Sequence, residues 1–215
     1  MSHITNYIPH WCMMDGIMDR EWGCGWRSLQ TLLSQISVHN DIWTLGFDVK
    51  SFTQDPELII DFDKPEISMS DMSQLAPYYV SIANKQGSEK PDFNMLMINT
   101  LDSIKMVSHH LNKHFNVDKN QVLSMIGTGG NVALIGGYQN IDSRDMIYLI
   151  DPHVNNPNDD FNTCRGIGRG GQGWVDLKET VLYGMEILGK GPTNFLDYSP
   201  AIIVIFSDIK LPLET

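Results

Sequence analysis

Trp22-Gly23-Cys24-Gly25-Trp26-Arg27-Ser28-Leu29-Gln30-Thr31-Leu32-Leu33-Ser34-Gln35-Ile36 is the stretch on which the fold turns. Trp26, Leu29, Leu32, Leu33 and Ile36 recur at three- and four-residue spacing, which predicts a helix over residues 25–37 with one apolar stripe. Cys24 then stands at the helix N-terminus between two glycines. Unpaired N–H groups and the positive end of the helix dipole favour a thiolate there, and the thiolate is the nucleophilic form of cysteine. The flanking glycines let a substrate backbone come close.

A second segment lies far along the chain: Asp145-Met146-Ile147-Tyr148-Leu149-Ile150-Asp151-Pro152-His153 reads as a buried strand ending in a proline. If the extended geometry persists through Pro152, Asp151 and His153 project to the same side. The imidazole then faces Cys24, and the carboxylate fixes its tautomer. These are the parts of a cysteine hydrolase, in which His153 takes the thiol proton and later returns it to the leaving amine. Taken alone, a cysteine is usually an inert small hydrophobe and Asp-Pro-His is usually a turn. Together, in the order Cys, Asp, His, they point to a site.

Asp19-Arg20-Glu21-Trp22-Gly23-Cys24-Gly25-Trp26-Arg27-Ser28-Leu29-Gln30-Thr31-Leu32 closely resembles the active-site helix of the proteases specific for the ubiquitin-fold modifier. Leu149-Ile150-Asp151-Pro152-His153 resembles that family's catalytic Asp-Pro-His. Met125-Ile126-Gly127-Thr128-Gly129-Gly130 and Leu134-Ile135-Gly136-Gly137-Tyr138 look like the glycine-bearing strand pair that precedes the triplet. The likeness is dense around these motifs and thin over residues 37–120. It implies a papain-like α/β (α+β) cysteine peptidase with a central, mostly antiparallel sheet and the nucleophile at a helix N-terminus. It also implies a thiol-dependent peptidase or isopeptidase that cleaves after the C-terminal glycine of a ubiquitin-like modifier. Such an enzyme matures the modifier's precursor or deconjugates it from substrate lysines. Cys24 would be the nucleophile, His153 the base and Asp151 the residue that orients it. Trp22, Gly136 and Gly137 are the substrate-binding candidates, the two glycines either flanking the modifier's tail or forming a sharp strand end.

Two neighbouring families share the frame. The autophagy cysteine proteases, or autophagins, join a Trp-Gly-Cys helix to Asp-Pro-His but usually depart from Gly-Trp-Arg-Ser-Leu-Gln after the cysteine. A zinc-finger-bearing deubiquitinase branch draws its histidine from the strand before Asp-Pro. That strand here, Asn131-Val132-Ala133-Leu134-Ile135, contains no histidine, which assigns the base to His153. The resembling proteases also carry a His-Tyr pair before the cysteine, whose phenol donates to the oxyanion. This chain has His10-Trp11 instead. The Trp11 indole N–H is a possible oxyanion donor, Tyr7 is a second candidate, and the alternative is that Trp11 is a packing residue. The departure keeps a modifier-binding pseudo-protease in view beside the enzyme.

Composition agrees with a compact enzyme. At 215 residues and 42% hydrophobic content the chain can bury a sizeable core. No long composition break divides it, so residues 1–215 are expected to form a single cysteine peptidase domain acting as a monomer. A formal net charge of −11 argues against a nucleic-acid partner, because phosphate contacts need clustered Lys and Arg. Three cysteines, Cys12, Cys24 and Cys164, cannot all pair in disulfides. The opening residues lack a signal peptide's basic start and apolar core, and no run of 18 apolar residues spans a bilayer. A cytoplasmic protein with reduced thiols is expected. No cofactor is implied. No metal site is expected either, since His110 and His114 are an incomplete ligand pair on what reads as a solvated helix face.

The remaining pattern is alternating. Asp55, Glu57, Asp61, Asp63 and Glu66 mark a solvated acidic insertion, a short helix is expected over residues 70–82, and residues 87–91 read as a loop. Met95, Ile98, Leu101, Ile104, Val107 and Leu111 suggest one long helix over residues 92–114, its methionines filling the core. Residues 132–138 and 146–150 are strand candidates joined by a polar turn over 139–144. Ala201-Ile202-Ile203-Val204-Ile205-Phe206, apolar on both faces, is expected to be a central strand. The glycine run from Gly166 to Gly173 lacks a Gly-Lys-Ser/Thr ending and reads as a mobile loop bordering the substrate channel.

Overall fold

Strands rich in β-branched and apolar residues pair into one six-stranded sheet in the computed structural model of the chain. Described in it are residues 3–12, 19, 22–37, 71–72, 75–76, 79, 93–118, 122–128, 131–153, 171–183 and 201–206. The elements are α1 (Cys24–Ser37), β1 (Phe93–Ile98), α2 (Leu101–Asn112), β2 (Ser124–Thr128), β3 (Asn131–Ile141), β4 (Arg144–Ile150), β5 (Gln172–Asp176), α3 (Leu177–Tyr183) and β6 (Ala201–Phe206). The strand order is β1-β6-β2-β3-β4-β5, and the pairing is antiparallel. The last of the described strands therefore lies inside the sheet, as its two apolar faces require.

Alternation along the strands sends apolar side chains to both faces. On one face Leu134, Ile150, Val204 and Phe206 pack with Trp26, Leu29, Leu32 and Leu33 of α1. On the other, Ile135, Leu149 and Ile203 pack with Ile104, Val107 and Leu111 of α2 and Leu177 and Val181 of α3. The three leucines of α1 are wholly buried, each contributing roughly 1.5–3 kcal/mol by leaving water. Helices thus cover both faces of the sheet, with α1 packed chiefly on β3.

The expected helix over 92–114 is two elements. Residues 93–98 form β1, pairing Phe93 with Phe206 and Ile98 with Ala201. Helix starts only after Thr100, whose hydroxyl accepts the Ser103 N–H at 3.2 Å while Ser103 Oγ accepts the Thr100 N–H at 3.1 Å. This reciprocal cap is a stop signal for any helix arriving from the N-terminal side. The methionines do not fill the core: Met95, Met97 and Met106 are 46–51% exposed. Beyond α2 the chain widens into a π-helical turn, Lys113–Val117, closed by the Asp118 N–H on the Lys113 carbonyl at 2.8 Å. That turn changes the helical phase and carries His114 inward. Its ring nitrogen Nε2 lies 2.9 Å from the Val122 carbonyl oxygen. His114 is therefore a buried side chain, not part of a solvated face.

The polar turn expected over 139–144 is shorter. Gln139, Asn140 and Ile141 continue β3, and only Asp142 and Ser143 turn, with φ of 48° and 64°. Two successive positive φ values make the tight hairpin whose twist matches the strands it joins. Of the helix expected over 70–82, residues 71, 72, 75, 76 and 79 are described and helical, with Met72, Ala76 and Tyr79 in the α1-side core. The acidic insertion, the loop over 87–91, Cys164 and the glycines at 166, 168 and 170 lie outside the described residues.

Candidate active site

Helix α1 begins at Cys24 itself, so the thiol stands on the first turn, where backbone N–H groups have no partner within the helix. Strand β4 ends at Ile150, and the triplet Asp151-Pro152-His153 that follows is a turn. The expected extended geometry does not persist through Pro152. One carboxylate oxygen organises the turn instead: Asp151 Oδ1 accepts the His153 backbone N–H at 3.0 Å and the His153 ring Nδ1–H at 2.6 Å. An aspartate that bonds the N–H two residues on is the Asx-turn geometry, for which proline in the middle is pre-set in φ. Asp151 and His153 meet as expected, by a different backbone route.

With Nδ1 committed to Asp151, the imidazole has Nε2 left, and the His153 side chain hydrogen-bonds the Cys24 side chain. Burial alone would lower the affinity of this ring for a proton. Hydrogen bonds to Asp151 and Cys24 and the electrostatic pull of the same two residues outweigh it and push the imidazole up to about 10. The ring is therefore held as imidazolium beside the sulfur at neutral pH. Asp151 is wholly buried, and its Oδ2 makes no hydrogen bond among the described residues. Its backbone N–H is fixed by the Gly171 carbonyl at 2.7 Å, where Gly171 enters β5 with φ of 67°. Among the described glycines of the run, Gly171 is the one whose positive φ favours glycine itself.

The N-terminal residues run as a strap from the sheet to this turn, anchored at every second residue. The Ile4 N–H donates to the Gly136 carbonyl at 2.8 Å, Gln35 Nε2 donates to Asn6 Oδ1 at 3.1 Å, and the Ile8 N–H donates to Ser34 Oγ at 2.8 Å. The His10 N–H then donates to Thr31 Oγ1 at 2.9 Å, and the Cys12 N–H to the Pro152 carbonyl at 2.8 Å. The polar side of α1 is buried: the strap bonds Thr31, Ser34 and Gln35, Arg27 pairs with Asp19 and reaches Gln30, and Ser28 Oγ donates to the Val132 carbonyl. Sequence reading missed these residues as supports of the site. A signal was there: the polar side of α1 carries short neutral groups and a single charge, whereas a solvated helix face is usually lined with Lys and Glu.

The strap decides where the remaining candidates go. Trp11 is 4% exposed and packs with the cluster under α2 and α3, while Cys24 belongs to the cluster under α1. Tyr7 donates its hydroxyl to Gln172 Oε1 at 2.9 Å. Trp22 is half-buried and packs against the α1-side core. Gly136 and Gly137 are buried in the middle of β3, at a register shift between Ile135 and Tyr138, so they form a bulge and not a strand end. A β-carbon on Gly137 would lie 3.1 Å from the Trp174 ring and 3.3 Å from His3, whose own ring stacks on Tyr148 at 3.8 Å. The strap occupies the space beside these glycines. Cys12, distant from Cys24 in sequence, is brought to the same site. Burial first, then the charges of Asp19 and Cys24, push its thiol well above the usual range and make it unreactive.

Among the described residues no group of three or more His, Cys, Asp or Glu side chains is placed to hold a metal ion, and no helix is long and apolar enough to cross a membrane.

No family model matches the chain, and no curated protein matches it significantly in sequence. Its fold is similar to that of a crystal structure described as UfSP from C. elegans, with a TM-score of 0.59 and 17% identity over 95% of this chain. The match covers 33% of that longer chain, so this protein spans about a third of its length. A mixed α/β architecture of the papain-like kind, with an antiparallel sheet and the cysteine opening a helix, is the fold.

Proposed function

We propose that the chain is a thiol-dependent peptidase that cleaves after the C-terminal glycine of a ubiquitin-like modifier, of the ubiquitin-fold-modifier class. It would mature the modifier's precursor, deconjugate it from lysines, or both. The observation that carries the reading is His153 hydrogen-bonded at once to Asp151 and to Cys24 on the first turn of α1. The fold likeness to UfSP supports the modifier class. Residues 1–215 would act as a single peptidase domain, monomeric, in the cytoplasm and without a cofactor.

The chemistry follows from the geometry. Cys24 Sγ attacks the carbonyl carbon of the modifier's last glycine, and the carbonyl oxygen becomes an oxyanion facing the helix N-terminus. The Cys24 backbone N–H is the donor that α1 supplies for it. His153 Nε2–H gives its proton to the leaving amine, the C–N bond breaks and a thioester remains. Water then gives a proton to His153 as it attacks the thioester, and the Cys24 thiolate leaves. Asp151 holds the ring through Nδ1 in both half-reactions. The burial of Trp11 among apolar side chains supports its packing role over that of an oxyanion donor.

A panel of C-terminal activity probes, each carrying a different ubiquitin-like modifier, tests the reading. Capture on Cys24 by the ubiquitin-fold-modifier probe is expected. Capture only by ubiquitin or by an autophagy modifier would assign a deubiquitinase or autophagin-type enzyme. Binding without capture or turnover for every probe would make the chain a pseudo-protease.

A further inference from the structure

Asp19 and Arg27 form an ion pair with Nε 2.7 Å from Oδ2, and both side chains are wholly buried. Burying a pair of this kind carries a desolvation cost for each ion, and an apolar pair of similar volume often serves stability as well. Its location is therefore the informative property. The Asp19 carbonyl accepts the N–H of Gly23 at 2.6 Å and of Trp22 at 3.2 Å, while the Gly23 carbonyl accepts the Arg27 N–H at 2.8 Å. The Asp19 carboxylate fills the place of a side chain on residue 23: a β-carbon there would fall on Oδ2 and lie 2.6 Å from Cγ. Residue 23 is thus gripped through its main chain and covered by the same aspartate, whose carboxylate is fixed by Arg27 from the first turn of α1. The next peptide along is Gly23–Cys24, and its N–H is the oxyanion donor of the mechanism above.

We propose that Asp19, fixed by Arg27, is a positioning residue for acyl transfer, setting the Gly23–Cys24 peptide so that the Cys24 N–H meets the oxyanion. The proposal rests on Cys24 being the acylated nucleophile and deepens the peptidase reading without depending on which modifier is cut. Oxyanion donors act only when a carbonyl is attacked, and misplacing such a group by about 1 Å can cost roughly a hundredfold in rate.

Two reactions of the same sulfur separate this role from plain stability. Attack on p-nitrophenyl acetate forms an S–acyl bond, breaks the ester C–O bond through an oxyanion and releases p-nitrophenolate. Attack on iodoacetamide forms an S–C bond at a saturated carbon and expels iodide with no oxyanion. Both are measured on the whole chain. In Asp19→Asn, acylation of Cys24 is expected to fall roughly tenfold to a hundredfold, while alkylation stays within about threefold of the parent. If Asp19→Asn does not melt cooperatively, Arg27→Lys carries the same test, because it keeps the charge but not the planar donor fork. Equal losses in both reactions, or no loss in either, would overturn the positioning role. A parent protein acylated by the ester yet captured by no modifier probe would overturn the modifier reading alone.

Discussion

His153 Nδ1 and Asp151 Oδ1 lie 2.6 Å apart across a single proline, and the same oxygen also accepts the His153 backbone N–H at 3.0 Å. One buried carboxylate therefore sets both the backbone turn and the ring orientation. Its removal should disturb geometry and electrostatics together. In Asp151→Asn the amide oxygen can still accept both bonds but carries no charge to hold the imidazolium, whereas His153→Ala removes proton transfer itself. Single-turnover thioester formation should fall in both variants and further in His153→Ala, the loss of general acid–base catalysis being worth about 10²–10⁴-fold. Parent-like rates in His153→Ala would mean that another group is the base.

Cys24→Ser should abolish thioester formation while leaving the melting temperature and modifier binding close to the parent's. The hydroxyl is nearly isosteric with the thiol but far less acidic, so it does not form the anion beside the imidazolium. Mass-spectrometric mapping of a modifier-based probe checks the assignment. Capture at Cys12 would contradict it, since that thiol is buried among negative charges.

The pH dependence follows from His153. Its imidazole is pushed up to about 10, whereas an unfolded chain releases that proton near 6.5. The folded state thus holds a proton that the unfolded state has lost between these values. The stability this group contributes is complete below about pH 6.5 and is lost as pH rises through about 10. Thermal melts should show this loss in the parent and less of it in His153→Ala. Alkylation of Cys24 by iodoacetamide should reveal the imidazolium's titration near the alkaline end, and Asp151→Asn should move that inflection toward neutral pH.

Trp11→Phe tests packing against catalysis. Trp11 is 4% exposed in the cluster under α2 and α3. The smaller ring should cost stability by about 1–3 kcal/mol through lost contacts, with thioester formation changed less than about threefold. A rate loss of roughly tenfold to a thousandfold at unchanged stability would make the indole N–H an oxyanion donor after all.

The central frame was legible because its signals are local. A run of apolar residues at helical spacing announced α1, and a β-branched run marked β6 as interior. The Cys24, Asp151 and His153 motif named the residues that meet. What escaped depended on partners distant in sequence. Residues 93–98 share a helix-like apolar spacing with α2, and only β6 pairing and the Thr100 cap divide them. His114 reads as solvated until a π-helical turn rotates it inward. That the polar side of α1 is buried becomes visible only when Ile8 and His10 are seen to bond to it. Gly136 and Gly137 read as flanking the modifier's tail or as a sharp strand end, whereas β3 runs through them as a bulge with the strap beside it.

The bulge at Gly136 and Gly137 has a consequence for how defects in this protein will look. Its carbonyl receives Ile4, and eight residues later the same strap delivers the Cys12 N–H to Pro152, inside the turn that carries His153. The bulge and the turn that carries His153 are therefore the outermost moorings of one strap, with three more on α1 between them. A side chain added at Gly137 presses on His3 and Trp174 at the sheet end of this strap, and any strain that the moorings on α1 do not absorb reaches the imidazole. Such a variant would bind its partner, fold, and turn over poorly. Geneticists meeting it would place a lesion at the active site, although the altered residue lies in the middle of β3 and not on the turn that carries His153.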